Sequence, residues 1–261
     1  MYSDEQNNIL KNEAQYQDSK IEKNTRSQMG RYYNDLAYIC VSTYRNQLIG
    51  ELAGKHILDY GCGKGEMTIK ALHEGAIVTA IDISPKSIEY VQKIAAEIGK
   101  SEQLNALVMD AQNMSFDENT FDIVIGNGIL HHLFEMKQAL CEIRRVLKPS
   151  GYAVFSEPLG MNPFLRVFRK LTPGLRTKDE QPFRMTELEL IRSVFPNVQF
   201  TFFECFTLLS KPFVALKMTK VANFLQKRLL TLDDRLLHKN HEKFSIFQKW
   251  SWIVLFRFYK E

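Results

Sequence analysis

Ile57-Leu58-Asp59-Tyr60-Gly61-Cys62-Gly63-Lys64-Gly65 is the part of the chain that indicates its fold most clearly. An apolar run ends in an acid, and glycines follow at alternate positions. The run has the length and residue types of a buried strand, and glycines let the backbone turn tightly into a helix while a ligand lies against the main chain. The stretch therefore predicts a strand, a turn and a helix around a nucleotide pocket. A Gly-rich turn that only connects two elements is the alternative.

The spacing of these glycines separates classes of nucleotide. A dinucleotide-binding fingerprint requires glycine at position 66, and a phosphate-binding loop requires Gly-Lys-Ser/Thr, but the chain has Gly65-Glu66-Met67. Glu66 in the first helical turn would also repel a pyrophosphate at that helix terminus. The sequence therefore predicts a ligand that is not rich in phosphate.

Short apolar runs alternate with helical stretches through the middle of the chain. Strands are predicted at HILDYG, IVTAID, NALVMD, FDIVIGN and YAVFSEP, and then at Val198–Leu208 and Trp252–Tyr259. Parallel neighbours require helical crossovers, so the alternation predicts a doubly wound α/β fold with a parallel sheet. Ligands of such a sheet bind at the carboxyl ends of the strands.

The chain of 261 residues is predicted to form one domain. Residues 1–52 are an N-terminal arm and lid helix, of which residues 1–28 are expected to be flexible or marginally helical. Residues 53–157 form the cofactor-binding core. Residues 158–184 are expected to be irregular, and with residues 211–250 they form insertions that cap the substrate. Apolar residues from Val214 to Leu236 recur at helical spacing beside several lysines, which predicts a basic amphipathic helix.

Composition limits the class and location of the protein. No run approaches the ~20 apolar residues of a membrane-spanning helix. The four cysteines are far apart and have no zinc-ligand spacing, which predicts reduced thiols in a cytoplasmic protein without a metal site. Residues 211–261 carry a net charge of +7. This charge indicates either a solvated helix face or weak contact with anionic membranes through residues 214–237.

With these motifs the chain resembles the class I S-adenosylmethionine-dependent methyltransferases over roughly residues 30–158. The stretch from Phe121 to Leu133 resembles the UbiE-like small-molecule type of that family. The resemblance implies a Rossmann-like, mostly parallel seven-stranded sheet with an antiparallel last strand and helical cap insertions. It also implies S-adenosylmethionine as the cofactor and a small or lipid-like acceptor.

The resemblance assigns cofactor contacts residue by residue. Those at the glycine motif, where the family holds the methionine end, are Asp59, Gly61, Cys62, Gly63 and Gly65. Those near the ribose are Asp82 and Ile83, those at the adenine edge are Asp110 and Ala111, and those after the fourth strand are Asn127 and Gly128. Asp82 could equally cap the next helix. Tyr33, beside Tyr32, precedes the sheet where the family often has a lid, although core packing would also explain these aromatic residues.

Three residues are candidates for proton transfer during methylation. His131 and His132 follow the fourth strand, and an imidazole suits proton transfer near neutrality. Glu157 ends the fifth strand. The alternatives are that the histidines cap a helix or line the cofactor, and that Glu157 only holds the following loop.

Departures from other patterns exclude some acceptors. No Asn/Asp-Pro-Pro-aromatic sequence follows the fourth strand, so nucleic acid is not an expected partner. A non-catalytic module that binds S-adenosylmethionine or S-adenosylhomocysteine, and a nicotinamide-dependent oxidoreductase, remain as alternative functions.

Overall fold

The computed structural model describes residues 2–22, 35–171, 182–237 and 244–260. The strands are β1 (His56–Tyr60), β2 (Ile77–Asp82), β3 (Leu104–Val108), β4 (Phe121–Asn127), β5 (Leu147–Pro158), β6 (Gln199–Phe203) and β7 (Ile253–Tyr259). The helices are α1 (Asp4–Glu22), α2 (Leu36–Ile49), α3 (Glu66–His73), α4 (Pro85–Glu97), α5 (Met136–Val146), α6 (Pro163–Leu171), α7 (Met185–Val194), α8 (Lys211–Ala215), α9 (Thr219–Leu237) and α10 (Ile246–Lys249).

The seven strands form one sheet in the order β3-β2-β1-β4-β5-β7-β6. Pairs from β3 to β5 are parallel, whereas β7 pairs antiparallel with both β5 and β6. The predicted Rossmann-like sheet with an antiparallel last strand is therefore confirmed. The order reverses between β1 and β4, which is where a doubly wound sheet opens a ligand crevice at its carboxyl edge.

Both faces of the central strands are buried, which explains why their sequences are almost continuously apolar. Along β1, Leu58 packs in one apolar cluster and Ile57 in another, and along β4 Val124 and Ile123 divide in the same way. Alternate residues of a strand point to opposite faces. Each cluster therefore covers one face of the sheet, and helices complete both.

Two turns fix the helices that start at the carboxyl edge. Gly65 precedes α3 in the left-handed conformation, with φ of 70°. The Ser84 side chain caps α4 by accepting the Ser87 N–H at 3.0 Å, and Pro85 occupies the first turn. The predicted strand-turn-helix units therefore form as the sequence indicates.

The N-terminal arm is more regular than predicted, since residues 4–22 form the helix α1. The side chain of Asp18 accepts the Ser84 hydroxyl at 2.5 Å, and Lys86 pairs with Glu22. The weak apolar periodicity predicts at most a marginal helix here, because the contacts that hold α1 at the start of α4 are polar.

The C-terminal insertions also differ from expectation. Strand β6 ends at Phe203, well before Leu208, because Glu204 adopts a positive φ of 59°. The region predicted to be irregular contains α6, and the buried Asn162 side chain caps it by accepting the Phe164 N–H at 2.9 Å. Lys217, with φ of 58°, breaks the predicted amphipathic helix into α8 and α9.

Candidate functional site

Three carboxylates lie where neighbouring strands end. Asp59 is the penultimate residue of β1, Asp82 is the last residue of β2, and Asp110 follows β3 by two residues. These three strands are adjacent and parallel, so their carboxyl ends meet at one edge. The structure therefore brings together the three acids that the sequence analysis selected.

The glycine loop winds tightly between β1 and α3. A side chain at Gly61, whose φ is 77°, would collide with Ile129, and one at Gly65 would collide with Val91. Gly63 has open space beside it, since no atom lies within 4 Å of an added Cβ. Cys62 is buried in this turn. The backbone at Gly63 can thus be approached closely by a ligand.

Asp82 ties this loop to the end of β2. Its Oδ2 accepts the Gly63 N–H at 2.8 Å, and its Oδ1 accepts the Ser84 N–H at 2.9 Å. Burial raises the pKa of Asp82, and the two backbone hydrogen bonds partly oppose that shift. A carboxylate oxygen can accept more than one hydrogen bond, so Asp82 retains capacity for two neighbouring hydroxyl groups.

Asp59 lies beneath the loop and is 4% exposed. Its Oδ2 accepts the Thr68 hydroxyl at 2.5 Å. Burial raises the pKa of Asp59 to about 6, against the effect of the Thr68 hydrogen bonds. A cationic group bound beside Asp59 would favour the ionised carboxylate and lower this pKa.

Asp110 and Ala111 form a polar edge after β3. Oδ1 of Asp110 accepts the Gln112 N–H at 2.9 Å. Oδ2 of Asp110 and the Tyr2 hydroxyl are both buried. Burial first, and a side-chain hydrogen bond with Asp110 second, raise the pKa of Tyr2. A carboxylate at this position can also accept a hydrogen bond from an amino group of a ligand.

Glu157 and His131 form a buried pair at the ends of β5 and β4. Oε2 of Glu157 lies 2.7 Å from Nδ1 of His131, and the Glu157 residue is 1% exposed. Oε1 of Glu157 accepts the N–H groups of Ile129 at 3.0 Å and Leu130 at 2.9 Å. The carboxylate therefore holds both the turn and the imidazole, and an Nδ1–H donated to Glu157 makes Nε2 the proton-accepting nitrogen.

His132 faces the N-terminal helix. Its Nδ1 lies 3.2 Å from Oε1 of Glu13, and its ring is 4.1 Å from the His131 ring between centroids. Gln6 donates to Glu135 at 3.2 Å, and Tyr2 packs on Phe134. Helix α1 therefore lies over the same strand ends that carry the acids and histidines.

Most of the predicted site residues lie at the carboxyl edge of the sheet. Asn127 ends β4, Gly128 follows it, and the Gly128 N–H donates to the Ser156 carbonyl at 2.8 Å. Ile83 follows Asp82 at the same edge, and the Ala111 carbonyl accepts the buried Tyr60 hydroxyl at 2.7 Å. Tyr32 and Tyr33 lie outside the described residues.

Sequence reasoning missed two contributors to this edge. The contact of Thr68 could be predicted from the sequence, since a hydroxyl in the first turns of α3 can reach back to Asp59 on the preceding strand. The contact of Glu13 could not be predicted in this way, because it depends on how α1 packs against His132. Over the described ranges, no three His, Cys, Asp or Glu side chains are grouped as a metal site, and no helix is long and apolar enough to cross a bilayer.

Part of the chain is similar to known methyltransferases. Residues 58–155 match the family described as methyltransferase domain. The chain is 33% identical over 134 residues to the demethylmenaquinone methyltransferase of Tropheryma whipplei strain Twist, a match covering 49% of this chain and 54% of that protein. It is 30% identical over 109 residues to sterol 4-C-methyltransferase strm-1 of Caenorhabditis elegans, covering 42% and 33%. The chain thus spans between a third and about half of the length of these curated relatives.

A solved structure supports the fold. The N-methyltransferase NodS from Bradyrhizobium japonicum WM9, in complex with S-adenosyl-L-homocysteine, superposes with a TM-score of 0.55 at 15% identity. The match covers 87% of this chain and 89% of that one. The shared architecture extends beyond the residues of the family match, into the C-terminal insertions.

Proposed function

We propose that this chain, which contains a class I S-adenosylmethionine-dependent methyltransferase domain, transfers a methyl group to a small apolar acceptor. The observation that carries the proposal is the convergence of Asp59, Asp82 and Asp110 with the His131–Glu157 pair at one edge of the sheet. The three acids suit a nucleoside that carries an amino acid end, and the His131–Glu157 pair suits the role of proton acceptor.

The residues of this edge fit S-adenosylmethionine. Oδ2 of Asp110 would accept the adenine amine, and Asp82 would accept the ribose hydroxyls. Asp59 would hold the ammonium of the methionine end. The open space at Gly63 would let the methionine end lie against the main chain. When bound, this cofactor supplies a sulfonium that is already a strong methyl donor. The protein therefore has to position the acceptor and exclude water.

The buried pair supplies the proton acceptor in this proposal. Glu157 fixes the His131 ring through Nδ1, so that Nε2 takes the proton from the acceptor's hydroxyl, amine or acidic carbon. The carboxylate stabilises the imidazolium that forms. His132 lines the edge and contacts the helix above it.

Helix α1 acts as a lid in this proposal. It contacts the start of α4 through Asp18 and the turn after β4 through Glu13. These contacts lie on both sides of the strand ends. Closure of α1 over a bound cofactor would therefore exclude water from the reacting atoms. The lid predicted for the N-terminal arm would then include α1.

The acceptor is proposed to be lipid-like. The matched relatives are named for a sterol and for demethylmenaquinone, both apolar ring compounds. Residues outside the family match would recognise it, since the structure has helices there at the same edge of the sheet. The cytoplasmic location predicted from the cysteine spacing stays a prediction.

Transfer of labelled methyl groups tests the function. The protein is incubated with methyl-labelled S-adenosylmethionine and a panel of demethylated quinols, sterols and total membrane lipid, and products are identified by mass. We expect label in one lipid fraction and release of S-adenosylhomocysteine. His131→Gln should abolish transfer while binding of S-adenosylhomocysteine persists.

The matched control is His56→Gln at the amino edge of the sheet, where Nε2 of His56 lies 3.1 Å from Thr79 Oγ1. This variant should retain transfer. Binding of S-adenosylhomocysteine without transfer to any fraction would favour a non-catalytic module, and tighter binding of NAD would favour an oxidoreductase.

A further inference from the structure

We propose that the carboxyl edge of the sheet docks on an anionic lipid bilayer through a basic apolar surface. We define this docking surface as the exposed residues of α6 and of residues 216–228. The inference depends on side chains outside the three acids and the His131–Glu157 pair. It is therefore independent of whether the methyl-transfer proposal holds.

Helix α9 buries a largely polar face and leaves part of its apolar surface exposed. Its half-buried leucines are Leu225, Leu229, Leu230 and Leu236, and its exposed apolar residues are Val221, Phe224 and Leu232. Gln226 is fully buried, whereas Phe224, two residues away, is 62% exposed. Val221 is also exposed, and the buried positions are small or polar apart from Leu237, namely Ala222, Gln226 and Asp233. A helix that packs on the domain through its apolar stripe would bury that stripe fully. The predicted apolar stripe of this region lies instead at the margin of the buried face and is partly exposed.

Buried hydrogen bonds fix this orientation of α9. The Gln226 side chain donates to Ser210 Oγ at 3.0 Å and accepts the Leu36 N–H at 3.1 Å. Asp233 accepts the Phe206 N–H and the Thr207 hydroxyl, both at 2.8 Å. Rotating α9 to bury Phe224 would break these bonds and leave buried polar groups unpaired. The exposed apolar face is thus a stable property of the fold.

Charge on the docking surface has one sign. Residues 216–228 contain four Lys or Arg and no Asp or Glu. The segment before α9 exposes Leu216 at 70% and Met218 at 44%, on either side of the exposed Lys217. Cations beside apolar side chains are the pattern of an interfacial helix that inserts into an anionic membrane.

Helix α6 adds a second element of the same kind. Phe164 and Val167 are 69% and 58% exposed, and the exposed Arg166 and Lys170 are on the same helix. Strands β5 and β6 are both antiparallel to β7, so α6 after β5 and α8–α9 after β6 leave the sheet at the same edge. His131 lies at this edge, after β4. Docking would therefore turn the candidate site toward the lipid.

Charge argues for lipid over a second copy of the chain. A symmetric dimer through this surface would bring two basic clusters together, which is unfavourable. An anionic bilayer offers both complementary charge and an apolar interior for Phe164, Phe224 and Leu216. A membrane-dissolved acceptor would then reach the site directly.

Vesicle co-sedimentation of the full chain tests the proposal. The vesicles are phosphatidylcholine with or without phosphatidylglycerol, at low and high salt. We expect pelleting only with phosphatidylglycerol, weakened by salt. Lys217→Glu with Lys220→Glu should weaken binding by at least about tenfold, because each cation near an anionic surface contributes a factor of roughly five. Phe224→Ser should weaken it as well, without changing the unfolding midpoint.

The matched control is Lys55→Glu with Lys100→Glu, at residues that precede β1 and β3 and so lie at the opposite edge of the sheet. This double variant should bind like the wild type. Equal loss in both double variants, or equal pelleting with pure phosphatidylcholine, would overturn the proposal. A concentration-dependent dimer that Phe224→Ser abolishes would overturn it too, by assigning the surface to a second copy. S-adenosylhomocysteine binding, measured in parallel, separates this outcome from failure of the methyl-transfer proposal.

Discussion

Replacing Glu157 by glutamine should remove proton transfer while leaving the fold and the cofactor residues in place. In the variant Glu157→Gln, the amide oxygen can still accept the Ile129 and Leu130 N–H groups. The amide nitrogen, however, would meet Nδ1 of His131, where a carboxylate oxygen lies at 2.7 Å. Two donors cannot pair, so Nδ1 would lose its proton and Nε2 would gain one. The imidazole would then be protonated on the atom that has to accept.

General-base catalysis contributes about 10²–10⁴ in rate, so kcat for Glu157→Gln should fall by that factor, equivalent to roughly 3–5 kcal/mol of transition-state stabilisation. Folding stability should fall by only about 1–3 kcal/mol, the cost of one mispaired buried hydrogen bond. Affinity for S-adenosylhomocysteine should be unchanged, because Glu157 hydrogen-bonds the His131 turn and none of the three acids.

The assay is single-turnover transfer of a labelled methyl group to the acceptor found in the lipid screen. Glu142→Gln is the matched control, since Glu142 pairs with Arg145 at 2.8 Å on α5 and makes no contact with the His131–Glu157 pair. A rate for Glu157→Gln within about twofold of the control would refute the role of the pair, because removal of a general base costs far more.

Three further predictions concern buried residues, one in the candidate site and two outside it. Burial raises the pKa of Asp59 from 3.8 to about 6. Affinity for S-adenosylhomocysteine should therefore rise as pH passes through about 6, because the ionised carboxylate holds the ammonium, while the stability of the free protein should fall between about pH 4 and pH 6. Asp59→Asn should flatten both curves in calorimetry. Lys211→Met removes the ammonium that lies 2.7 Å from the buried Asp35 carboxylate and 2.6 Å from the buried Glu204 carboxylate. The free energy of unfolding in urea should fall by about 3–5 kcal/mol. The exposed control Lys217→Met should lower it by less than about 0.5 kcal/mol. Gly126→Ala would overlap the Phe155 ring and should cost about 1–3 kcal/mol, measured as a lower melting temperature.

The central sheet could be predicted from the sequence because its signals are local. Strands buried on both faces are continuously apolar, and the acids that end β1 and β2 follow those runs directly. Ser84 and Pro85 also mark the start of α4, and the capping hydrogen bond from the Ser87 N–H is local in the chain. Such patterns need no knowledge of distant contacts.

The remaining features depend on contacts that are distant in the chain. The pairing of His131 with Glu157 joins residues 26 positions apart, and no periodicity reports it. Helix α1 is held by Asp18 and Glu22 against α4, so its weak apolar pattern predicted only a flexible or marginally helical arm. The orientation of α9 follows from Gln226 and its buried partners rather than from its apolar stripe.

Calorimetric titration with S-adenosylhomocysteine measures whether the acids at the strand ends hold this nucleoside. The wild-type chain should bind it saturably, and Asp82→Ala should weaken binding by at least about 100-fold, since two hydrogen bonds to a charged group each contribute about 1.5–3 kcal/mol. The exposed Asp117→Ala should bind like the wild type. No binding by the wild type, or equal affinity in Asp82→Ala, would show that these acids do not bind the nucleoside.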